Sequence, residues 1–339
     1  MFSTSFECRR SERQPNPAVL FGRRVATDPV PGARALILAG GEGSRLRSLT
    51  RELTGDDRPK QFATIVGGTS LLEQTRRRSA LLIPERRTQI VLTRSHEPYY
   101  RTIVEEATRT TFLIQPSNRG TAAAVLYGLL RAARCETDGP VVILPSDHWI
   151  SDDRAFMSHV AAALGVVDAH AEALVVLGLS PTRAEPQYGW IDAAEPVFGW
   201  WPELRRVRNF VEKPTRELAA ALHARGLLWN SFVVVGRISR LLLLLAVAVP
   251  DLVDAFLPAW KAFGTSVEPE AVERVYTRIP SVDLSRDVLA REPEMLTVLS
   301  VTGMLWEDLG DPARVRAARR EAAFAEGKRQ RPPLEGRPA

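Results

Sequence analysis

Short apolar runs alternate with segments of helical periodicity through the first half of this 339-residue chain. The runs are short and rich in leucine and β-branched residues, which is typical of buried strands. They are Ala35–Ala39, Gln89–Thr93, Thr111–Ile114, Val141–Leu144 and Ala173–Gly178. The segments of helical spacing between them include Leu71–Leu82, Thr121–Arg134 and Asp153–Val167. This alternation predicts an α/β fold with a mainly parallel sheet flanked by helices, whose ligands bind beyond the C-terminal ends of the strands.

The second half of the chain is less regular but still mixes strands with helices. Thr215–Arg225 carries an acidic residue early and arginine late, and Gly226 follows where a left-handed C-cap is favoured, so this segment predicts a helix. Residues 237–278 are expected to be helical, with breaks at Pro250 and Pro258. Strands are expected at Val207–Val211, Ser231–Gly236 and Met295–Val301.

The net charge of +5 is concentrated at the two ends of the chain. We interpret residues 1–32 as a flexible N-terminal extension, residues 33–312 as the folded domain and residues 313–339 as a basic C-terminal tail. Because the segment from 33 to 312 is close to neutral, the high isoelectric point does not indicate a nucleic-acid-binding groove. We therefore expect no nucleic-acid partner.

Three further features bear on where the protein works. The longest apolar run, Leu241–Val249, is about half the length of a membrane span and predicts a buried helix. The N-terminus lacks the apolar core of a signal peptide. Cys8 and Cys135 are too few for a disulfide framework. We expect a cytoplasmic protein without a membrane partner, and the sequence allows a homo-oligomer.

The first predicted strand runs directly into a glycine-rich segment. Glycine lets the backbone approach a ligand closely and presents amide hydrogens to phosphate oxygens. The nucleotide-binding candidates in this segment are Gly40, Gly41, Gly43 and Ser44. Arg45 and Lys60 form a cationic pair suited to a triphosphate, and lysine is scarce in this arginine-rich chain. No Gly-Lys-Ser/Thr follows, so the segment is not a P-loop, and a glycine-rich turn without a ligand is the alternative.

Polar side chains also stand at the ends of other predicted strands. Asp147 follows the run VVIL, where it is a candidate ligand for a divalent cation or, alternatively, a cap of the next turn. Glu212 and Lys213 lie between a strand and a helix, where the alternative is a surface ion pair. The segment Asn118–Ala122 has the small and amide side chains that can hold a base, or can cap the helix that follows.

The segment LAGGEGSRL, followed by RPKQF and then SLLEQTRRR, resembles the opening of the sugar-1-phosphate nucleotidylyltransferases. Within that family the chain is most similar to the mannose-1-phosphate guanylyltransferases, over roughly residues 33–312. The resemblance implies the nucleotide-diphospho-sugar transferase type of fold, a Rossmann-like, mainly parallel mixed sheet. It also implies that a nucleoside triphosphate, GTP, reacts with a sugar 1-phosphate, mannose 1-phosphate, to give GDP-mannose and pyrophosphate, with Mg²⁺ as cofactor. The length after residue 312 leaves no room for an isomerase domain, so we expect a transferase alone.

The resemblance also implies roles for individual residues. The segment LWEDLG is similar to the W-x-D-x-G pattern of the family, so Asp308 would hold Mg²⁺ together with Asp147. Arg45 and Lys60, with Asp147, would be catalytic. The residues that would bind the nucleotide include Asn118, Gly120 and Thr121, besides the glycine-rich segment. Those that would bind the sugar phosphate, from the segments YGWI, FVEKP, WNS and PSVD, are Gly189, Glu212, Lys213, Asn230 and Asp283.

The chain departs from the family pattern near the base and the sugar. Gln187 stands where glycine is common, and Phe232 follows the WNS segment where glycine is usual. Ser44 replaces a threonine, and Ala123 a proline. These changes leave open a different sugar 1-phosphate or nucleoside triphosphate, or a non-catalytic sugar-nucleotide-binding subunit. A nicotinamide-dependent oxidoreductase is disfavoured, because Leu46 stands where a dinucleotide fingerprint has its third glycine.

Overall fold

The computed structural model describes residues 30–134, 138–197 and 203–329, with side chains described up to residue 324 in the last helix. Within these residues the strands are β1 Arg34–Leu38, β2 Thr88–Thr93, β3 Thr111–Gln115, β4 Pro140–Pro145, β5 Trp149–Ile150, β6 Leu174–Leu179, β7 Gly189–Pro196, β8 Leu204–Glu212, β9 Leu228–Arg237, β10 Thr297–Val301 and β11 Trp306–Glu307. The α-helices are α1 Arg47–Thr54, α2 Leu71–Ala80, α3 Glu97–Glu106, α4 Gly120–Ala133, α5 Asp153–Ala169, α6 Arg216–Ala224, α7 Ile238–Ala248, α8 Pro250–Phe256, α9 Glu268–Tyr276 and α10 Pro312–Arg329. Each strand predicted from the sequence overlaps an observed one, whereas β5, β7 and β11 were not predicted.

Nine of these strands form one sheet, in the order β3-β2-β1-β4-β9-β6-β10-β8-β7. β9 also pairs with β7, so that β9, β6, β10, β8 and β7 close into a ring of five strands. β1 to β4 are parallel to their neighbours among themselves, and β6 is parallel to β10. The other pairings in the sheet are antiparallel. The α/β class and the mixed sheet are confirmed, but a mainly parallel, Rossmann-like arrangement is wrong beyond β4.

The length of the connections explains this difference. Parallel neighbours need a crossover of about a dozen residues or more, whereas antiparallel neighbours can be joined by a short loop. Only residues 197–203 separate β7 from β8, so these two strands pair antiparallel. The sequence of β7, GWIDAAEP, lacks the apolar run that marks the other strands, so the sequence pattern does not predict this strand.

Alternate residues of the central strands are buried in two different hydrophobic clusters. In β4, Val141 and Ile143 belong to one cluster, and Val142 and Leu144 belong to the other. Helix α4 contributes to the first cluster and α5 to the second. Both faces of the strand are therefore covered, which explains the continuous apolar runs in the sequence.

Helix α7 corresponds to the longest apolar run. Its buried residues include Leu241, Leu244, Leu245 and Ala248, and Pro250 begins the next helix, as predicted. Among the described residues, no single helix combines the length and apolar composition needed to cross a membrane. In the part of the chain that the structure describes, α7 together with Pro250–Ala262 meets that criterion by length and composition alone, and the two are bent by 119°.

Helix α10 packs against the folded body through its first turns. Val315 and Ala318 are buried in a third cluster with Leu46 and Leu309, and Arg314 is 7% exposed. The boundary predicted at residue 312 therefore coincides with the start of a packed helix rather than with a free tail. Residues 1–29 of the predicted extension and residues 330–339 lie outside the described residues, so the division into three segments stays a prediction.

Candidate active site

A cleft of about 430 Å³ opens at the C-terminal ends of β1 and β4, the edge of the sheet where a binding site is predicted. The glycine-rich segment follows β1, and Asp147 follows β4. The predicted site residues that line the cleft are Gly40, Gly41, Arg45, Lys60, Asn118, Gly120, Thr121, Asp147, Gly189, Glu212, Lys213, Asn230, Asp283 and Asp308. The fold thus brings together residues that are far apart in the sequence, while their individual roles stay predictions.

Polar side chains hold the carbonyl groups at the start of the glycine-rich turn. Gln61 donates from Nε2 to the carbonyl oxygens on either side of Gly40, at 3.1 and 2.8 Å. Thr93 donates to the carbonyl oxygen of Gly40 at 3.0 Å and accepts a hydrogen bond from Gln115 at 2.9 Å. A Cβ atom on Gly40 would lie 2.1 Å from Nε2 of Gln115 and 2.7 Å from Oγ1 of Thr93, so a larger residue here would displace the side chains that hold the turn.

The second part of the turn leads away from the cleft. Gly43 has a φ of +59°, and a Cβ atom there would lie 3.0 Å from the backbone nitrogen of Lys60. Ser44 is exposed and begins a single 3-10 turn. The structure therefore places Gly43 and Ser44 beside the cleft rather than in its wall. Arg45 returns to the cleft and donates from Nη1 to Oε1 of Gln187 at 3.2 Å.

Lys60 joins the two predicted metal ligands. It is 8% exposed, its Nζ lies 3.1 Å from Oδ2 of Asp147, and it donates to the backbone carbonyl oxygen of Asp308. Burial alone would raise the pKa of Asp147, but Lys60 and His148 outweigh it, so this pKa is lowered. Burial likewise opposes ionisation of Asp308, yet Lys60 and Arg314 lower its pKa. Both carboxylates are therefore ionised at neutral pH, as metal ligands must be.

The contacts of Asp147 also bear on the capping alternative. Within the described residues its carboxylate contacts the side chains of Lys60 and His148 rather than a backbone amide. His148 packs edge-on against Trp306, with ring centroids 4.9 Å apart. Burial lowers the pKa of His148 to about 4, so the imidazole is neutral at pH 7 and serves as packing beside the carboxylate.

The two oxygens of Asp308 have different surroundings. Oδ1 accepts hydrogen bonds from the backbone nitrogen of Gly310 at 2.8 Å and from the guanidinium of Arg314, whereas Oδ2 accepts none within the described part of the chain. An oxygen without a donor, near a second ionised carboxylate, suits a hard cation such as Mg²⁺. The described residues contain no group of three His, Cys, Asp or Glu side chains arranged for a metal. The chain would thus supply two ligands, which fits Mg²⁺, since this ion usually keeps waters and binds substrate phosphates.

Glu212 and Lys213 lie at another part of the cleft, beside Gly189. Nζ of Lys213 is 2.9 Å from Oε1 of Glu212. The Lys213 side chain is half exposed, but the Glu212 side chain is largely buried. The two residues therefore do not form the fully solvated surface ion pair that the sequence left open as an alternative. Oε2 of Glu212 is buried without a hydrogen-bond partner among the described residues, and a Cβ atom on Gly189 would lie 2.6 Å from it. A buried acceptor without a donor is costly, so a bound hydroxyl group would be stabilised here.

Three non-glycine residues with positive φ lie in or next to the cleft. They are Lys213, Phe232 and Leu309, with φ values of 48°, 65° and 49°. Such conformations cost about 1–3 kcal/mol each and cluster at functional sites. Phe232 occupies the position where the family pattern has glycine, which adopts this conformation freely. Asn230 supports it by accepting a hydrogen bond on Oδ1 from the Phe232 backbone nitrogen at 2.9 Å.

The segment that begins helix α4 is held against a neighbouring loop. Gly120 has a φ of +81°, and a Cβ atom there would lie 2.2 Å from the carbonyl oxygen of Val282. Oγ1 of Thr121 accepts a hydrogen bond from the backbone nitrogen of Leu284 at 2.8 Å, and α4 has no side-chain N-cap. Thr121 therefore does not cap its helix. Instead, it fixes the segment against the loop that carries Asp283.

Sequence reasoning assigned no role to four residues that shape this site. Gln61, Tyr188 and Gly310 lie inside segments that carried the family resemblance, so a signal for them existed. The hydroxyl of Tyr188 lies 3.2 Å from Oδ1 of Asp308 and 2.8 Å from Oε2 of Glu307. Arg314 lies in the segment interpreted as a tail, where no motif marked it.

Comparison with known proteins identifies the family. The family model described as nucleotidyl transferase matches residues 34–323. The chain belongs to this family. The chain is 32% identical over 282 residues to the xanthan biosynthesis protein XanB of Xanthomonas campestris pv. campestris strain B100, and 32% identical over 286 residues to the mannose-1-phosphate guanylyltransferase of Escherichia coli strain K12. Each match covers 81% of the chain and 57% of the relative, so the chain spans little more than half the length of these relatives.

Solved structures share the fold of this chain. The crystal structure of a mannose-1-phosphate geranyltransferase from Thermus thermophilus matches with a TM-score of 0.68 and 31% identity, covering 82% of this chain and 76% of that one. A UDP-glucose pyrophosphorylase in complex with UDP-glucose matches with a TM-score of 0.53 and 15% identity, over 87% of this chain and 99% of that one. The second likeness concerns the fold alone.

Proposed function

We propose that this nucleotidyl transferase forms GDP-mannose and pyrophosphate from GTP and mannose 1-phosphate. The observation that carries the proposal is the position of Lys60, whose ammonium contacts the ionised carboxylate of Asp147 and the backbone carbonyl oxygen of Asp308 in the wall of one cleft. The glycine-rich turn and Glu212 line the same cleft. A triphosphate and a sugar phosphate bound there together would meet near the three charged groups.

The reaction requires no covalent bond to the protein. An oxygen of the sugar phosphate attacks the α-phosphorus of GTP, in line with the departing pyrophosphate. A bond forms between that oxygen and the α-phosphorus, the bond from the α-phosphorus to the bridging oxygen breaks, and pyrophosphate leaves with the electron pair. The chain therefore contributes position and charge.

Arg45 and Lys60 supply the positive charge for the triphosphate. Lys60 is held in place by Asp147 and the Asp308 carbonyl group, so its ammonium is already oriented when the nucleotide arrives. Arg45 exchanges its contact with Gln187 for phosphate oxygens. Both cations then offset the negative charge that grows on pyrophosphate as the bond breaks.

Asp147 and Asp308 would hold Mg²⁺. When bound, the cation neutralises charge on the reacting phosphate groups. Oδ2 of Asp308, which accepts no hydrogen bond within the described residues, is available for this role. A carboxylate pair of this kind has little use in a sugar-nucleotide-binding subunit without catalysis, so we favour the enzyme.

The sugar phosphate would be oriented by the residues around Glu212 and Lys213. Oε2 of Glu212 accepts a hydrogen bond from a sugar hydroxyl, and Lys213 binds the phosphate group of the sugar phosphate. Gly189, Asn230 and Asp283 line the space beside them. On the nucleotide side, the residues that would hold the base are Asn118, Gly120 and Thr121. A cytoplasmic location and a homo-oligomeric state stay predictions from the sequence.

The choice of GTP and mannose 1-phosphate is supported by the relatives named mannose-1-phosphate guanylyltransferase. Phe232 favours a second candidate, because a large side chain lines the cleft where the family pattern has glycine. The second candidate is the same reaction with a different sugar 1-phosphate or a different nucleoside triphosphate.

Pyrophosphate release tests the proposal directly. The purified chain is incubated with Mg²⁺, mannose 1-phosphate and each of GTP, UTP, dTTP and ATP. We expect release with GTP to exceed release with the other nucleotides by at least about tenfold, because buried polar groups that pair with one base are left unpaired by another. Faster release with a different nucleotide would overturn the assignment of the base. The sugar 1-phosphate is then varied over a panel of hexose and heptose 1-phosphates. If no combination of nucleotide and sugar 1-phosphate releases pyrophosphate, the proposal that the chain is an enzyme of this type is overturned.

The activity should depend on pH through Glu212. Burial raises the pKa of Glu212 above its ordinary value, although Lys213 opposes the shift. As pH falls, Glu212 is protonated at a higher pH than an exposed glutamate and ceases to be a full acceptor for the sugar. We therefore expect the ratio of kcat/KM for mannose 1-phosphate between the wild type and Glu212→Gln to decrease as the pH falls, beginning at a higher pH than the titration of an exposed glutamate. The ionisation of the sugar phosphate cancels in this ratio, and a ratio independent of pH would contradict the role.

A further inference from the structure

Arg314 holds one oxygen of the Asp308 carboxylate. Its Nη1 donates to Oδ1 in a close hydrogen bond, and the Gly310 backbone nitrogen donates to the same oxygen at 2.8 Å. The Tyr188 hydroxyl lies 3.2 Å from Oδ1 as well. Oδ2 accepts no hydrogen bond within the described residues. The carboxylate is thus fixed through one oxygen while the other stays available.

Arg314 is itself held on every side of its guanidinium. Its Nη2 lies 2.8 Å from Oε1 of Glu185, and its Nε lies 2.9 Å from Oδ2 of Asp311. The guanidinium carbon lies 4.6 Å from the centre of the Tyr188 ring. With 7% of its surface exposed, Arg314 has no freedom to turn away from Asp308. A side chain fixed in this way transmits its orientation to the group that it binds.

The charges around Arg314 are compatible with a cation at Asp308. Besides Asp308, two further carboxylates, those of Glu185 and Asp311, pair with Arg314 and offset its positive charge. The second charge near Asp308, Lys60, is paired with Asp147. Arg314 therefore orients the carboxylate without making its surroundings cationic.

We propose that Arg314 is a positioning residue that keeps Oδ2 of Asp308 available to the divalent cation. The proposal rests on the proposed function, because it assumes that Asp308 holds the metal. It makes the first turn of α10 part of the support of the active site, although Arg314 does not line the cleft. The planar fork of arginine contacts Asp308, Glu185 and Asp311 at once, a geometry that the single ammonium of lysine cannot reproduce.

Binding of Mn²⁺ to the full chain, without nucleotide or sugar phosphate, tests the proposal. The free ion is followed by electron paramagnetic resonance for the wild type, Arg314→Gln, Arg314→Lys and Asp308→Asn. Loss of a residue that orients a metal ligand typically weakens metal binding by about 10–100-fold. We expect a weakening of that size in Arg314→Gln and a smaller one in Arg314→Lys. Arg316→Gln, an exposed arginine on the same helix, is the matched control and should bind Mn²⁺ like the wild type.

The variants separate this proposal from the proposed function. If Asp308→Asn binds Mn²⁺ like the wild type, or if the wild type does not bind it, the metal role of Asp308 and with it the positioning role of Arg314 are overturned, whereas the proposed reaction is decided separately by pyrophosphate release. If Asp308→Asn loses binding while Arg314→Lys, folded by circular dichroism, keeps wild-type affinity, only the positioning role is overturned. Turnover also distinguishes the positioning role of Arg314 from a purely structural one. If the role were only structural, Arg314→Lys would have a lower kcat at every Mg²⁺ concentration, whereas we expect higher Mg²⁺ to restore its turnover.

Discussion

Replacing Asp147 with asparagine is expected to lower kcat by about 10³-fold while the fold is retained. Asparagine has the shape of aspartate but no charge, so the variant loses one of two ligands for the cation and the partner of the Lys60 ammonium. The Lys60 ammonium loses its counter-charge but keeps its hydrogen bond to the backbone carbonyl oxygen of Asp308. Turnover is measured by pyrophosphate release at saturating substrates, and folding by circular dichroism and thermal unfolding.

Asp254→Asn is the matched control for this prediction. Asp254 lies exposed on α8 and does not line the cleft, so this variant should turn over like the wild type. A well-folded Asp147→Asn enzyme whose kcat stays within tenfold of the wild type would contradict the role of Asp147 as a metal ligand.

Local sequence pattern predicts the first part of the fold well. Runs such as ALILA and VVIL are short, continuous and apolar because β1 and β4 are buried on both faces, and this pattern needs no knowledge of distant residues. The glycine-rich turn can likewise be recognised locally, because its glycines directly follow the apolar run of β1. By contrast, β7 closes the five-stranded ring through pairing with β8 and β9, and its own residues carry no such pattern.

The pairing of groups in the site depends on distant residues, and spacing does not reveal it. Asp147 and Asp308 share Lys60 only because β4 and the segment after β11 meet at one edge of the cleft. Their pairing was predicted from the family resemblance and not from the spacing itself. Arg314 had neither signal, because it follows the last recognised motif in a helix whose basic composition suggested a tail. Its partners, Glu185 and Asp308, become apparent only in the folded chain.

Replacing Lys60 with methionine is expected to lower kcat/KM by about 10²-fold or more. Methionine keeps most of the length of the side chain, but it removes the charge that offsets the departing pyrophosphate. It also leaves the carboxylate of Asp147 without its cation. Since Lys60 lowers the pKa of Asp147, the pKa should rise in the variant, and protonation should then extend to higher pH. Compared in the Glu212→Gln background, which removes the carboxyl group of raised pKa, the acid limb of kcat/KM, which reports the free enzyme, should therefore move to higher pH when Lys60 is replaced.

Lys261→Met separates the local effect from a general loss of lysine charge. Lys261 is exposed and outside the cleft, so this variant should keep both the wild-type kcat/KM and the wild-type pH profile. Two results would each contradict one part of this prediction. They are a kcat/KM for Lys60→Met close to that of the wild type, and a large loss of kcat/KM with an unchanged acid limb. The first would mean that the triphosphate draws its charge compensation from elsewhere, and the second that Lys60 acts on the triphosphate without controlling the ionisation of Asp147.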